Sequence, residues 1–196
     1  MTAQAGGTTS SKSALRSHLR QARTRLPLSK KRKAARSAAA HAYSLLLSLR
    51  ARRIAVYLAH GSELDPSPLI RRFRGEVFVP RLTHSGMRFV ALKGVVRKNR
   101  HGIREPAGLT PSRAAKKLDV IFLPLLGFDA YGTRLGQGGG HYDHALKFGR
   151  AFRRPVLVGY AYSMQQCAKL PREPHDKRLD AVITEKGFWN LRTALT

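Results

Sequence analysis

The chain reads as a single α/β domain of three α/β/α layers, with a mostly parallel sheet and a glycine-rich loop after a central strand. Three observations predict this. Short apolar runs alternate with helical spans, which is the pattern of strands joined by crossover helices. One of those runs, Val120 to Leu126, leads through a turn into Gly136-Gln137-Gly138-Gly139-Gly140 and then a helix start at Tyr142. The length of 196 residues, with 42% hydrophobic and 24% charged side chains, is enough for one packed core.

The elements follow in order. Residues 1–11 are small and polar and predict a disordered tail, with the folded domain over 12–196. Ser13 to Thr24 places Leu15, Leu19 and Ala22 at helical spacing, with basic residues between them. Leu26-Pro27-Leu28-Ser29 breaks that helix, and Ser29 can cap a second one over about Lys30 to Leu49. The second helix starts basic, against its own dipole, so packing must hold it. The period then changes. Arg53–Ala59 predicts a strand, Pro66 or Pro68 opens a short helix to Phe73, and Val77–Pro80 and Met87–Leu92 predict two more strands. Arg97 to Ser112 shows no period and predicts a long surface loop. Asp119–Leu123 is the central strand, Tyr142–Phe148 the helix after the glycine loop, and Val156–Tyr160 and Ala181–Ile183 the last strands.

Composition narrows the function classes. The lone cysteine, Cys167, excludes an internal disulfide and a cysteine zinc site, and it suits a reducing cytoplasm. No apolar run is long enough to span a membrane, and residues 1–11 lack the apolar core of a signal peptide. Thirty-seven Lys and Arg against eleven Asp and Glu give a formal net charge of +26. That charge attracts polyanions and multiply charged substrates, or it reflects a lineage bias with no partner. The basic residues are spread along the chain without interleaved aromatics, which argues against specific nucleic-acid binding and for non-specific polyanion binding at low salt.

The glycine segment carries the chemistry. Strand, glycine loop and helix present bare backbone N–H groups to a phosphate, because glycine lacks the Cβ that blocks close approach. Arg134 brings a forked donor suited to phosphate oxygens, and Asp143 a carboxylate where phosphate-bound Mg²⁺ takes an oxygen ligand. The loop lacks the Gly-Lys-Ser/Thr of a Walker A motif, and His141 breaks a dinucleotide fingerprint. The alternative is a glycine turn needed for tight strand–helix packing. His141 and His144 lie three apart beside Asp143, but a transition-metal site there is disfavoured, since phosphate-bound Mg²⁺ prefers oxygen.

Gly127-Phe128-Asp129, Gly132, Arg134-Leu135-Gly136, Gly138-Gly139-Gly140 and Tyr142-Asp143 resemble the signature of the 5-formyltetrahydrofolate cyclo-ligase family. Lys12-Ser13-Ala14-Leu15-Arg16, the stretch from Leu58 through Glu63 to Leu69, Gly102–Pro106, and Leu170 to Glu185 resemble other segments of that family in the same order, over roughly residues 12 to 186. The resemblance implies an ATP- and Mg²⁺-dependent ligase of one-carbon metabolism. It would convert 5-formyltetrahydrofolate to 5,10-methenyltetrahydrofolate through a phosphorylated formyl intermediate, with release of ADP and phosphate. A cytoplasmic monomer that engages neither membrane nor specific nucleic acid is expected.

Site residues are implied in the same way. Residues Lys12, Ser13, Ala14, Leu15 and Arg16 and the loop Arg134, Leu135, Gly136, Gln137, Gly138, Gly139, Gly140, His141 and Tyr142 would bind ATP, with Arg134 catalytic. Leu58, Glu63, Gln137 and Tyr142 would bind the folate, Arg81 would meet its glutamate tail, and Asp143 and Asp176 would hold Mg²⁺. Without the resemblance, Lys12 and Arg16 read as solvated charges on one helix face and Asp176 as a turn former, while Glu63 reads equally as a solvent-facing loop residue. Gln137 and His141 depart from the commonest family pattern. Two other classes compete: a basic nucleic-acid-binding protein that kept the fold and lost the chemistry, and a sugar-phosphate isomerase or acyl-CoA-transferase-like enzyme on a related fold.

Overall fold

A computed structural model describes residues 7–84, 86–98, 104–108, 110–146, 154–174 and 176–191. Helix α1 spans Gly7–Thr24, so it opens six residues before the expected Ser13 and takes in residues 7–11 of the expected tail. Helix α2 spans Leu28–Ser48. Its N-cap is Pro27 with no side-chain cap, so Ser29 lies inside the helix and does not cap it. Pro27 suits this place because it has no N–H to leave unpaired. The face of α2 that meets the sheet is built of Ala34, Ala35, Ala38, Ala39, Ala42 and Leu46. Its small side chains at helical spacing let the helix lie close to the sheet, while Leu28 and Leu47 stay largely exposed.

The strands are β1 (Arg53–Ala55), β2 (Glu76–Thr83), β3 (Gly86–Ala91), β4 (Val96–Lys98), β5 (Arg104–Pro106), β6 (Ser112–Arg113), β7 (Val120–Leu123), β8 (Gly127–Phe128), β9 (Arg134–Leu135), β10 (Val156–Tyr160), β11 (Ala181–Thr184) and β12 (Gly187–Asn190). Helix α3 is Ser67–Arg72 and α4 is His141–Ala145. Eight strands form the main sheet in the order β12-β11-β10-β7-β1-β2-β3-β6. Its centre, β11-β10-β7-β1-β2, is parallel, and the outer pairs are antiparallel. The expected mostly parallel α/β fold is therefore present.

Several expectations change. The ladder of β1 ends at Ala55, although the Val56 N–H still donates to the Phe78 carbonyl at 2.9 Å. Beyond it the chain leaves the sheet. The predicted loop at 97–112 holds most of the β4–β5 hairpin and the start of β6, whose mostly exposed residues, Pro106 being the buried exception, give no apolar period to read. The hairpin β11–β12 adds an antiparallel edge that the sequence reading lacked. Residues 99–103 and 109 of the predicted loop and 147–148 of the predicted helix lie outside the described residues.

One sheet face packs on α2 and α3 through Ile54, Val56, Val120, Phe122, Val158 and Ile183. The other carries Ala55, Phe78, Phe89, Ile121, Leu157 and Val182 and, among the described residues, is covered by α4's end at Leu146 and by the segment Leu125–Phe128. No helix among the described residues is long and apolar enough to cross a membrane.

Candidate functional site

Strand order fixes where the site lies. From β1 the chain moves to one side through β2, β3 and β6, then returns to β1's other side with β7 and continues outward through β10 and β11. The order reverses between β1 and β7, and ligands of open α/β sheets sit at the carboxyl ends of such a strand pair. There the structure has a cleft of about 780 Å³. Three remote segments wall it: α1, the stretch Tyr57–Glu63 after β1, and Arg134–Asp143, which runs from β9 into α4.

The β8–β9 hairpin delivers the third wall. Asp129, 1% exposed, builds its turn by accepting the N–H groups of Tyr131 and Thr133, and it accepts Leu170 N–H at 2.9 Å. The hairpin aims Arg134 into the cleft. Arg134 donates to Asp143 Oδ1 at 2.7 Å and to the Lys177 carbonyl at 2.6 Å, and its side chain is 5% exposed. Asp143 Oδ1 also accepts the Lys177 N–H at 3.1 Å. Gly138 and Gly140 hold φ of +109° and +62°, conformations that L side chains adopt at a cost. Gly140 caps α4, whose five residues form a shorter helix than expected and add little dipole to the site. What the loop offers is its bare backbone. A Cβ on Gly139 would lie 2.8 Å from His141 Nε2, so the imidazole rests over the loop.

Helix α1 presents a basic stripe. Lys12 Nζ donates to Glu173 Oε1 at 2.7 Å and lies 3.9 Å from Asp176 Oδ2. Arg16 Nε donates to the Gly136 carbonyl at 3.1 Å, and Arg20 to Gln137 Oε1 at 2.9 Å. Arg23, 3% exposed, donates Nε to Ser62 Oγ at 3.0 Å and Nη1 to the Leu125 carbonyl at 3.2 Å. Burial pulls the Arg23 guanidinium below its ordinary range, and Glu63 partly offsets this. Glu63 Oε2 accepts the His60 N–H at 3.0 Å. Burial, reinforced by Glu63, pushes the Tyr142 phenol well above its ordinary range, so it stays protonated as a donor.

Of the residues expected from the sequence, Lys12, Arg16, Leu58, Glu63, Asp176 and the whole run Arg134–Asp143 line this one cleft. Ser13 and Ala14 are exposed and do not line it, and Leu15 packs on Leu19, Leu126, Leu135 and Leu170. Their place on α1's other faces follows from the helical turn. Arg81 is also displaced: it donates to the Pro106 and Gly108 carbonyls and does not line the cleft. Sequence reasoning missed Arg20 and Arg23; the four-residue spacing of Lys12 and Arg16 continues to Arg20 but not to Arg23, which lies three further on. Ser62 gave no signal beyond being a polar residue in a turn, and Asp129 stood only inside the Gly127-Phe128-Asp129 signature with no role attached.

No group of three His, Cys, Asp or Glu side chains among the described residues forms a metal cage. The donors present fit Mg²⁺ in another way. Asp143 Oδ2 has no hydrogen-bond partner among the described residues, on a side chain 20% exposed to the cleft. Mg²⁺ is commonly held by one or two carboxylates together with substrate phosphates.

A family model described as the 5-formyltetrahydrofolate cyclo-ligase family matches residues 8–185. The 5-formyltetrahydrofolate cyclo-ligase of Escherichia coli (strain K12) is 36% identical over 148 residues, covering 71% of this chain and 81% of that one. The Haemophilus influenzae cyclo-ligase is 30% identical over 180 residues, covering 86% and 95%. The solved structure of Aquifex aeolicus 5,10-methenyltetrahydrofolate synthetase superposes with a TM-score of 0.81 at 28% identity, covering 92% of this chain and 93% of that one. The chain belongs to the 5-formyltetrahydrofolate cyclo-ligase family.

Proposed function

We propose that the chain converts 5-formyltetrahydrofolate to 5,10-methenyltetrahydrofolate with ATP and Mg²⁺, releasing ADP and phosphate. The observation that carries this reading is that one cleft is lined both by cations with a bare glycine backbone, suited to a polyphosphate, and by apolar and hydrogen-bonding groups suited to a heterocycle. The first set consists of Lys12, Arg16, Arg20, Arg134 and the backbone of 136–140; the second of Leu58, Glu63 and Tyr142. Family membership supports the substrate.

In this reading the formyl oxygen attacks the γ-phosphorus and the bond to ADP breaks. N10 then attacks the formyl carbon, the carbon–oxygen bond to phosphate breaks, and the N10 proton leaves to solvent. Phosphoryl transfer asks little covalent work of side chains, so positioning and charge carry the catalysis. Arg134 meets the transferring phosphoryl oxygens with a planar fork. Lys12 and Arg16 bind the triphosphate, which competes with Glu173 and Asp143 for their cationic partners. Asp143 and Asp176 would hold Mg²⁺, which supplies charge neutralisation at the phosphates. Glu63 accepts from pterin N–H groups, Leu58 packs on the ring, and Gln137 borders the reacting ends. The test is the absorbance of the methenyl product from 5-formyltetrahydrofolate with and without MgATP. Product only with MgATP is expected; none with it, from folded protein, overturns the reading.

A further inference from the structure

Arg23 stands out among the cleft residues because nothing in the phosphate chemistry uses it. It is the most deeply buried cation of the cleft, 3% exposed, and ties α1 to Ser62 of the second wall and to Leu125 after β7. Two of its nitrogens are committed, Nε to Ser62 Oγ and Nη1 to the Leu125 carbonyl. Nη2 has no hydrogen-bond partner among the described residues. Unlike Arg81 Nε, Nη2 is not sealed away from solvent, so it is open to an acceptor that enters the cleft.

Glu63 follows Ser62 directly and is the foremost opposite charge acting on Arg23. One of its oxygens, Oε2, is taken by the His60 N–H, and Oε1 has no hydrogen-bond partner among the described residues. The cleft lining therefore offers an open acceptor on Glu63 and an open donor on Arg23, which is hydrogen-bonded to Ser62, the residue next to Glu63. A lactam edge presents the complementary pair, an N–H beside a C=O.

We propose that Arg23 is a specificity-determining residue: Nη2 donates to the C4 carbonyl of the pterin while Glu63 accepts from the adjoining N3–H. The inference rests on the folate reading of the cleft and adds to it the donor half of pterin recognition. A pterin whose C4 carbonyl is replaced by an amino group turns a donor toward Arg23 and is disfavoured.

The test is a cycle of two ligands against two proteins. Dissociation constants are measured calorimetrically, without ATP, for 5-formyltetrahydrofolate and its 4-amino-4-deoxy counterpart, on wild type and Arg23→Met. Loss of one charged hydrogen bond corresponds to roughly 10- to 100-fold. The expected result is a loss of that size for the 4-oxo ligand and under threefold for the 4-amino ligand. Equal losses for both would mean that Arg23 only braces α1 against Ser62 and Leu125, and would overturn the proposal. Arg23→Gln, which keeps a polar side chain, is the second variant, and its ratio of constants is expected to narrow in the same direction. Failure of wild type to bind 5-formyltetrahydrofolate at all would instead overturn the folate reading itself.

Discussion

Removing Arg134 tests the phosphate face most directly. Arg134→Ala deletes a guanidinium held at both ends, by Asp143 at 2.7 Å and by the Lys177 carbonyl at 2.6 Å. The two side chains of the ion pair are 5% and 20% exposed, so solvent screens the interaction little. Asp143 keeps the Lys177 N–H as a donor, which limits the penalty of its uncompensated charge. Hydrogen bonds to charged groups contribute about 1.5–3 kcal/mol each, and breaking a buried pair about 3–5 kcal/mol. With Asp143 part-solvated and still bonded, a loss of about 2–3 kcal/mol is expected. That leaves a domain of ordinary stability, about 5–15 kcal/mol, folded. The rate effect is expected to be larger than any partial unfolding explains: a fall of about 10²–10³ at saturating MgATP. Arg134→Lys keeps the charge and loses the fork, so it falls between. Urea denaturation reads stability and initial rates read turnover on the same samples. A folded Arg134→Ala variant within threefold of wild-type turnover would refute a phosphoryl-facing role and leave Arg134 as a brace for Asp143.

Three further outcomes are expected. Asp143→Asn raises the Mg²⁺ concentration for half-maximal rate, since a neutral amide is a poorer ligand for a hard cation; an unchanged Mg²⁺ titration would confine Asp143 to holding Arg134 and Lys177. Burial, with Asp129 adding to it, pushes the Cys167 thiol above its ordinary range, so less thiolate is present at any given pH and alkylation by iodoacetamide at pH 8 runs slower than for an unstructured cysteine peptide; an equal rate would contradict the burial. With a formal charge of +26, KM for MgATP and for folate rises between low and physiological salt while kcat holds, more steeply for folates with longer glutamate tails; identical flat slopes would leave the charge without a steering role.

The sequence made the parallel core legible because its strands are buried on both faces and read as continuous apolar runs, as in Val120–Leu123. The β4–β5 hairpin was illegible for the opposite reason: Val96, Arg97 and Lys98 are all exposed, so no burial period marks the strand. Residues of the cleft that carry a charge in a helical or glycine-rich frame were recoverable, and Arg20 lay one step further along a spacing already recognised. Arg23 was not recoverable as a special position. Its value comes from Ser62 and Leu125, 39 and 102 positions away, which only the folded chain brings to its guanidinium. The reading of Ser29 as a cap failed because Pro27 had already started the helix, a case where two legitimate start signals compete within one turn.

The cleft and the whole chain differ in electrostatic character. Six Lys and Arg side chains line the cleft against five Asp and Glu, so it is nearly balanced while the chain carries +26. The close contacts explain how: Lys12 faces Glu173 and Asp176, and Arg134 faces Asp143. A bare cluster of cations would repel itself and strain the fold, whereas paired cations stay in place at little cost. On the proposed reading, a triphosphate entering such a site would exchange partners, drawing Lys12 and Arg134 to its own oxygens and leaving their acidic partners to the cation that accompanies it. Specificity for an anion that brings a divalent metal would then follow from local pairing, and a simple monoanion would gain less because it cannot compensate the carboxylates it displaces. The excess of basic residues outside the cleft acts at a different range, on encounter and not on fit, and salt screens that long-range part first. A salt response confined to KM is therefore what a balanced cleft inside a strongly basic molecule requires.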